Sequence, residues 1–351
     1  MNQSKKQYYG IDLTKFICSI LVVMIHFQPT GTAQINHWIQ NCFARIAVPF
    51  FFLSSGFFLY KKSSPEHFEI QTTFSYIQKL IRLYLIWSVI YLPLTYLKYY
   101  HGDGKPLLHH IIDYCRRLLF TGTYFHFWYF PALCLAVLLV SGLLTGKAKP
   151  FQIFGISIIF YLIGLAGQSY YGLVRPLLND APDLLNFLKI LRNIAETTRN
   201  GLHDGFLFVA GGMLCAYGKI RISARKSCIL FVISMLLFAG EFLLIQRLHW
   251  AYANDMYLFL IPTCIFLFLW VSQIMLPESG IYKQLRIMSS LVYYLHLFIG
   301  AGISMIYQKI HITNDTVKFL SVLAGTLFFS WLITNLSQKE KCKKLCILYT
   351  G

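Results

Sequence analysis

The first apolar segment of the chain carries polar side chains that could perform acid–base chemistry. Asp12, Lys15, Ser19 and His26 recur at helical spacing, and the step from Lys15 to His26 is about three turns, or ~16 Å of rise. A charged group in hydrocarbon is costly, so this stripe should face the interior of a helix bundle or a wet cavity. The alternative is that Lys15 snorkels to one interface while His26 caps the other end.

The composition predicts that the lipid bilayer is the solvent of this chain. Hydrophobic residues make up 56% and charged residues 13% of the sequence, which excludes a soluble domain with a charged exterior. The net charge of +17 is better explained by basic cytoplasmic loops than by nucleic-acid binding, because no basic run is interleaved as a nucleic-acid surface requires. The nine cysteines form no CxxC pair, and no metal site is predicted.

Apolar segments of nearly membrane-spanning length recur along the whole chain. A span needs about 20 mostly apolar residues, and we count about ten candidates. The sequence therefore predicts an all-α, single-domain bundle of about ten transmembrane helices, with a basic tail at 337–351. The predicted spans are Ile11–Phe27, Ala44–Tyr60, Leu80–Leu97, Phe127–Leu144, Phe151–Ala166, Phe206–Tyr217, Ile229–Ile245, Met256–Met275, Leu291–Tyr307 and Val317–Leu336.

Loop charges predict the orientation of the bundle. With the N-terminus inside, Lys5 and Lys6 begin a set of about 18 cytoplasmic basic residues, against roughly ten in the opposite loops. An even number of spans then places both termini in the cytoplasm. The two long external segments, Lys98–Phe125 and Gly167–Leu202, have the composition of a structured lid, and we expect acceptor recognition there.

Other polar residues within or beside the apolar segments are candidates for a site. Glu241 must be paired, protonated or water-facing, and the alternative to a site role is a structural hydrogen bond. Arg45 could pair with Asp12, bind an anion or anchor at the interface, and Asp12 could instead anchor Lys15 or act as a first-turn acid. Gly56 is expected to let helices pack closely. The predicted substrate-binding residues are His126, Trp128, Glu196, Arg199, Asn200 and His296.

Several motifs, taken in order, resemble the acyltransferase-3 family of integral membrane acyltransferases. A basic residue, ten intervening residues and a histidine in the first span match its signature, and the segment RIAVPFFFLSSGFFL looks like its second span. Lys79-Leu-Ile-Arg82 resembles its cytoplasmic RxxR motif, although lysine lacks the bidentate fork of arginine. Two further motifs resemble its fourth-span and late-span motifs, namely His126-Phe-Trp128-Tyr129-Phe-Pro131 and Tyr293-Tyr294-Leu-His296.

A narrower resemblance is to the membrane half of the VanT-type serine racemases of vancomycin-resistant bacteria. It rests on YLIGLAGQSYYGL from Tyr161, TRNGL from Thr198 and DMYLFL from Asp255. In those proteins a membrane domain associated with supplying L-serine precedes a cytoplasmic pyridoxal-phosphate racemase. The resemblance implies a bacterial cell membrane and a fused or associated racemase domain, which would attach at the basic tail.

The leading hypothesis is acyl transfer across the membrane. An acyl-CoA, with acetyl-CoA as the expected donor, is a polyanion that needs cations at the cytoplasmic mouth and a base further in. Lys15, Arg45, Lys79 and Arg82 are predicted to bind this donor. His26, with Asp12 and Glu241, is predicted to transfer the acyl group to a hydroxyl of an external small-molecule or cell-envelope acceptor.

The rival hypothesis belongs to another class of protein. The chain would take up or supply L-serine, with Arg45, Glu241 and Arg199 as ligands of its ammonium and carboxylate groups. Transporters often contain broken helices or inverted repeats, and none is evident in the sequence, which favours the enzyme. A membrane anchor that has lost activity is the third alternative.

Overall fold

The computed structural model describes residues 7–181, 183 and 196–350, and the regular elements in this part of the chain are all helical. Lys5, Lys6 and part of the second long external segment lie outside the described residues. The all-α prediction is therefore confirmed for the part of the chain that the structure describes.

Fifteen α-helices, numbered α1 to α15, are described together with several short 3-10 and π turns. The helices are Tyr9–His26, Ala33–Asn41, Ala47–Tyr60, Ile70–Ile90, Leu92–Tyr99, Leu107–Arg116, Tyr129–Thr145, Pro150–Ala166, Tyr171–Asn179, Phe206–Ala216, Ala224–Leu248, Leu260–Gln273, Ile281–Lys309, Asp315–Ser337 and Ile347–Thr350. The π turns are Arg117–Thr121 and Gly201–Gly205, and the 3-10 turns are Phe43–Ile46, Pro65–His67, Phe125–Trp128 and Glu340–Cys346.

Six helical segments of the described chain are long and apolar enough to cross a membrane, and two bent pairs raise this number to eight if each pair is one span. The pairs are α4 with α5, bent by 64°, and α8 with α9, bent by 80°. The predicted count of about ten is not confirmed. The six segments are Tyr9–His26, Ala33–Tyr60, Phe125–Thr145, Ala224–Leu248, Ile281–Lys309 and Asp315–Ser337.

Two predicted spans correspond to helices that are short for a bilayer. Gly201–Ala216 and α12 would rise only ~21 to 24 Å, against about 30 Å of hydrocarbon. Helix α12 begins later than predicted, at Leu260, because side chains from other helices bond the backbone ahead of it. The hydroxyl of Tyr161 donates to the Tyr257 carbonyl at 2.9 Å, and Glu241 accepts from the N–H groups of Leu258 and Phe259.

The contacts divide the chain into two compact units. The first unit comprises Met1–Phe51, Arg221–Leu236 and Pro262–Tyr349. The second unit comprises Phe52–Ile220, Leu237–Ile261 and Thr350–Gly351.

In the first unit, α1 packs along α13, and α13 packs along α14. A small core of Val23, Val292, Phe319 and Val322 joins the three helices, and each of these side chains is at most 4% exposed. In water, burial of such apolar side chains stabilises a fold by about 25 cal/mol per Å² of apolar area. In a bilayer the lipid is also apolar, so tight packing between the helices is the larger contribution.

An ion pair joins the beginnings of α1 and α13. The Arg286 guanidinium donates from Nε to one Asp12 carboxylate oxygen at 2.8 Å and from Nη2 to the other at 2.7 Å. Asp12 is 2% exposed, so its charge requires this partner. Both carboxylate oxygens are engaged, which fixes the rotation of α1 about its axis as well as its position against α13.

In the second unit, two glycines allow α3 and α10 to cross with their backbones close together. A Cβ atom at Gly56 would overlap the backbone carbonyl of Val209, and one at Gly212 would overlap that of Leu53. Small residues at a crossing are the usual means by which membrane helices approach closely. The contacts of Gly56 support the predicted packing role.

We expect Gly56→Ala to destabilise the protein by about 1–3 kcal/mol, because the added methyl group must displace the α10 backbone. Gly142→Ala in α7 is the matched control, since no atom lies within 4 Å of its new Cβ. The control should be neutral or gain up to about 1 kcal/mol from the higher helix propensity of alanine. Unfolding midpoints in detergent would report both effects, and equal midpoints for the two variants would contradict the close crossing.

Candidate functional site

Helix α1 carries the polar stripe on one continuous helical face. Lys15 and His26 lie within Tyr9–His26, so the helical geometry assumed for them holds through this helix. Both side chains are half-buried, whereas Asp12 and Ser19 are buried. The Ser19 hydroxyl donates to the Phe16 carbonyl at 2.7 Å, which gives it a local structural partner.

His26 lies against a second histidine, His296 of α13. The two imidazole rings are stacked, with centroids 5.2 Å apart and planes inclined by 26°. His296 is fully buried, and its Nδ1 lies 3.1 Å from the Val292 carbonyl and 2.9 Å from the Tyr293 carbonyl. Carbonyl oxygens only accept, so Nδ1 must carry the proton, and Nε2 of a neutral ring must carry the lone pair.

Asp12 has a different partner from those considered from the sequence. Its carboxylate is held by Arg286, and not by Lys15 or Arg45. Arg45 donates instead to Asn41 Oδ1 at 2.9 Å. Asp12 lies in the first turn of α1, where the helix dipole also favours a negative charge. This arrangement favours a structural role for Asp12 beneath the histidine pair.

The two remaining candidates for donor binding lie on α4 of the second unit. Lys79 and Arg82 are exposed and are separated by one helical turn, so both cations are presented on adjacent positions of one face. Their exposure suits contact with an aqueous anion such as a nucleotide phosphate.

The second unit also contains a pair of opposite charges beside an aromatic ring. Arg199 Nη1 donates to Asp255 Oδ1 at 2.8 Å, and the Arg199 guanidinium lies 4.7 Å from the centre of the Trp128 ring. Arg199 is 30% exposed and Asp255 14% exposed, so the pair is partly accessible. The structure thus brings together two predicted substrate-binding residues and adds a carboxylate to them.

Glu241 is a buried carboxylate with three donors around it. The Tyr170 hydroxyl donates to Oε1 at 2.8 Å, and the N–H groups of Leu258 and Phe259 donate at 2.6 and 2.8 Å. Glu241 is 7% exposed. These bonds satisfy the backbone ahead of α12, and this geometry favours the structural alternative over a site role.

The other predicted substrate-binding residues of the second unit have local structural contacts. His126 is 3% exposed within an aromatic cluster, with its ring centre 5.2 Å from that of Tyr91. Asn200 caps the π turn that follows it, because its Oδ1 accepts from the N–H groups of Leu202 and His203. Glu196 pairs with Arg116 at 2.6 Å. These contacts give each of the three a structural partner within the second unit.

Each unit contains one residue that contacts a candidate side chain and that the sequence does not indicate as a site residue. In the first unit this residue is Arg286, and no spacing links it to Asp12 because they are 274 positions apart. The one available signal was that a buried carboxylate requires a cation. In the second unit this residue is Asp255. The sequence indicates it more weakly, because it is only a single carboxylate ahead of an apolar run.

Comparison with known proteins gives relatives that are amino-acid racemases. The chain is 30% identical to a serine/alanine racemase of Enterococcus gallinarum, over 91% of this chain and 45% of the relative. It is 28% identical to two amino-acid racemases of Enterococcus faecalis, over 97% of this chain and 48% and 47% of theirs. The chain therefore spans about half the length of the curated relatives it matches, and no solved structure matches it significantly.

A protein-family comparison covers nearly the whole of the described fold. The family model for an acyltransferase domain matches residues 8–335, from the beginning of α1 almost to the end of α14. The match includes both histidines of the stacked pair and every other candidate residue described above. The chain belongs to the acyltransferase-3 family.

Proposed function

We propose that this protein is a membrane-bound acyltransferase that moves an acyl group from acyl-CoA, with acetyl-CoA as the donor, to a hydroxyl group of an externally presented acceptor. The observation that carries the proposal is the stack of His26 on His296. It supplies an imidazole base on the polar face of α1 and a second imidazole whose tautomer is fixed by backbone carbonyls.

The reaction assigns a separate task to each imidazole. His26 takes the proton of the acceptor hydroxyl as its oxygen attacks the thioester carbonyl. The carbon–sulfur bond then breaks, the acyl group remains on the acceptor oxygen, and CoA leaves as a thiolate that takes the proton from His26, which restores the neutral base. His296 holds the His26 ring in place by stacking, and its Nε2 lone pair faces away from the two carbonyls that hold Nδ1.

Basic side chains would bind the anionic donor. Arg286 bonds both carboxylate oxygens of Asp12, and the half-buried Lys15, further along α1, would contact an anionic group of the donor through its ammonium group. Lys79 and Arg82 would hold phosphate groups of CoA, and Arg45 would assist at the beginning of its span. In this proposal the protein is a multi-pass protein of the bacterial cell membrane with both termini in the cytoplasm.

The second candidate function is capture or uptake of an amino acid such as L-serine. The specific observation in its favour is the Arg199–Asp255 pair, which offers a guanidinium for a carboxylate and a carboxylate for an ammonium group. Relatives named as amino-acid racemases support the same ligand class. In this alternative a fused or associated cytoplasmic pyridoxal-phosphate racemase would use the amino acid.

His26→Ala should reduce acyl transfer at least about 100-fold, because a positioned general base typically contributes 10² to 10⁴ in rate. His67→Ala is the matched control, since His67 is exposed in a short turn. The rate of transfer of labelled acetyl groups from acetyl-CoA would be measured in membranes. Each rate would be divided by the amount of inserted and folded protein. Transfer retained in His26→Ala, with insertion unchanged, would overturn the assignment.

Arg199→Ala should weaken binding of labelled serine at least about 10-fold if the second candidate is correct, since a charge-assisted hydrogen bond contributes ~1.5–3 kcal/mol. Arg175→Ala, an exposed arginine of α9, is the matched control. Arg199→Lys should restore only part of the binding, because lysine lacks the planar fork. The same vesicles would be assayed for acetyl-CoA turnover. Serine counterflow that depends on Arg199, without any acyl-CoA turnover, would reverse the order of the two candidates.

A further inference from the structure

Helix α6, Leu107–Arg116, presents an apolar face that the described protein does not cover. Leu108, Ile111 and Ile112 are 67%, 50% and 61% exposed, and Cys115 is also exposed. The four positions follow the spacing i, i+3, i+4 and i+7, so they form one stripe along the helix. The stripe runs from Leu108 to Cys115, which is about two turns of this 10-residue helix.

The opposite face of α6 is tied down by ion pairs. The Asp113 carboxylate accepts from Arg116 Nη2 at 2.8 Å and from Arg117 Nε at 2.7 Å, and it also accepts from the Tyr100 hydroxyl at 3.1 Å. Arg116 pairs further with Glu196 at 2.6 Å. Partial burial acts to raise the pKa of Asp113, but these hydrogen bonds outweigh it and hold that pKa at about 2. The network therefore remains ionised at neutral pH and fixes which side of α6 faces outward.

Helix α6 lies next to a helix that belongs to a candidate membrane span. The ring of Tyr100, which directly follows α5, stacks on His110 of α6 with centroids 4.8 Å apart. Helix α5 itself exposes Leu92, Tyr96 and Leu97 by 49%, 51% and 51%. An exposed tyrosine near the end of a span is typical of the membrane–water interface. The charged side of α6 thus joins the end of a helix pair that exposes apolar side chains of its own.

We propose that α6 is an interfacial helix whose Leu108–Cys115 stripe lies in a phospholipid monolayer at the boundary between headgroups and acyl chains. A helix of 10 residues rises ~15 Å, which is too short to cross about 30 Å of hydrocarbon. One apolar face and one charged face are the features of a helix that lies in the interface plane. The exposed Lys105, just before α6, lies where it can meet lipid phosphate groups.

This placement has a consequence for the adjacent candidate site. Glu196 connects the charged face of α6 to the segment that carries Arg199. Docking of α6 in the lipid monolayer holds that segment at the membrane surface, where an acceptor embedded in the same monolayer would reach it. The docking itself does not depend on which reaction the protein performs.

The native Cys115 allows a direct test in the full chain. The variant His109→Cys places a second thiol on the same helix but outside the stripe, since His109 is exposed and its ring lies 3.2 Å from the Lys105 ammonium group. The protein would be reconstituted in vesicles of phosphatidylcholine and phosphatidylglycerol. Both cysteines would be labelled with a membrane-impermeant charged maleimide and, in parallel, with an apolar maleimide, and each peptide quantified by mass spectrometry. The ratio within one molecule is independent of the orientation of the protein in the vesicle.

We expect the charged reagent to label Cys115 at least about 10-fold more slowly than Cys at position 109, because a thiol in an apolar environment forms little thiolate. The apolar reagent should label both. The double variant Ile111→Gln and Ile112→Gln should raise labelling of Cys115 by the charged reagent toward the level at position 109. Equal labelling by the charged reagent in the parent variant would mean that the stripe faces water. Protection of Cys115 from both reagents would mean that a protein surface covers it, and either result overturns the proposal.

Discussion

The Asp12–Arg286 ion pair is the interaction on which the candidate catalytic site depends. A carboxylate charge that is 2% exposed is costly in a membrane bundle unless a cation pairs with it, and Arg286 bonds both of its oxygens. The pair fixes how α1 is rotated against α13. Because both helices are continuous, this rotation also determines that His26 meets His296 further along.

The second unit uses buried side chains to hold an irregular segment of backbone. Residues Met256–Phe259 precede α12 without being helical, and their polar groups are bonded by Tyr161, Ser169 and Glu241. Irregular backbone is tolerated in membrane proteins only where protein or water satisfies it. The same segment carries Asp255 to Arg199, so a structural requirement and a candidate ligand site share one loop.

The sequence was sufficient for the fold class, the family and the polar face of α1, because composition, helical period and motif order are local properties. The predicted count of about ten spans is not confirmed, since an apolar run such as Met256–Phe259 does not reveal that side chains from elsewhere will bond its backbone. The sequence also did not predict contacts between residues that are far apart in the chain. Neither the Asp12–Arg286 pair nor the partner of Arg199 follows from spacing. The amphipathic period of α6 is present in the sequence, but the charged residues within the helix make it hard to recognise.

In the proposed reaction His26 and His296 act as one catalytic unit, and a double-mutant cycle on kcat/KM for acyl transfer tests this most directly. The variants are His26→Ala, His296→Ala and the double variant, with insertion and folding verified for each. If the residues act as a unit, the double variant should be about as slow as His26→Ala alone, because effects within such a unit are strongly non-additive. Losses that multiply in the double variant would show that the two histidines act independently and would contradict the account.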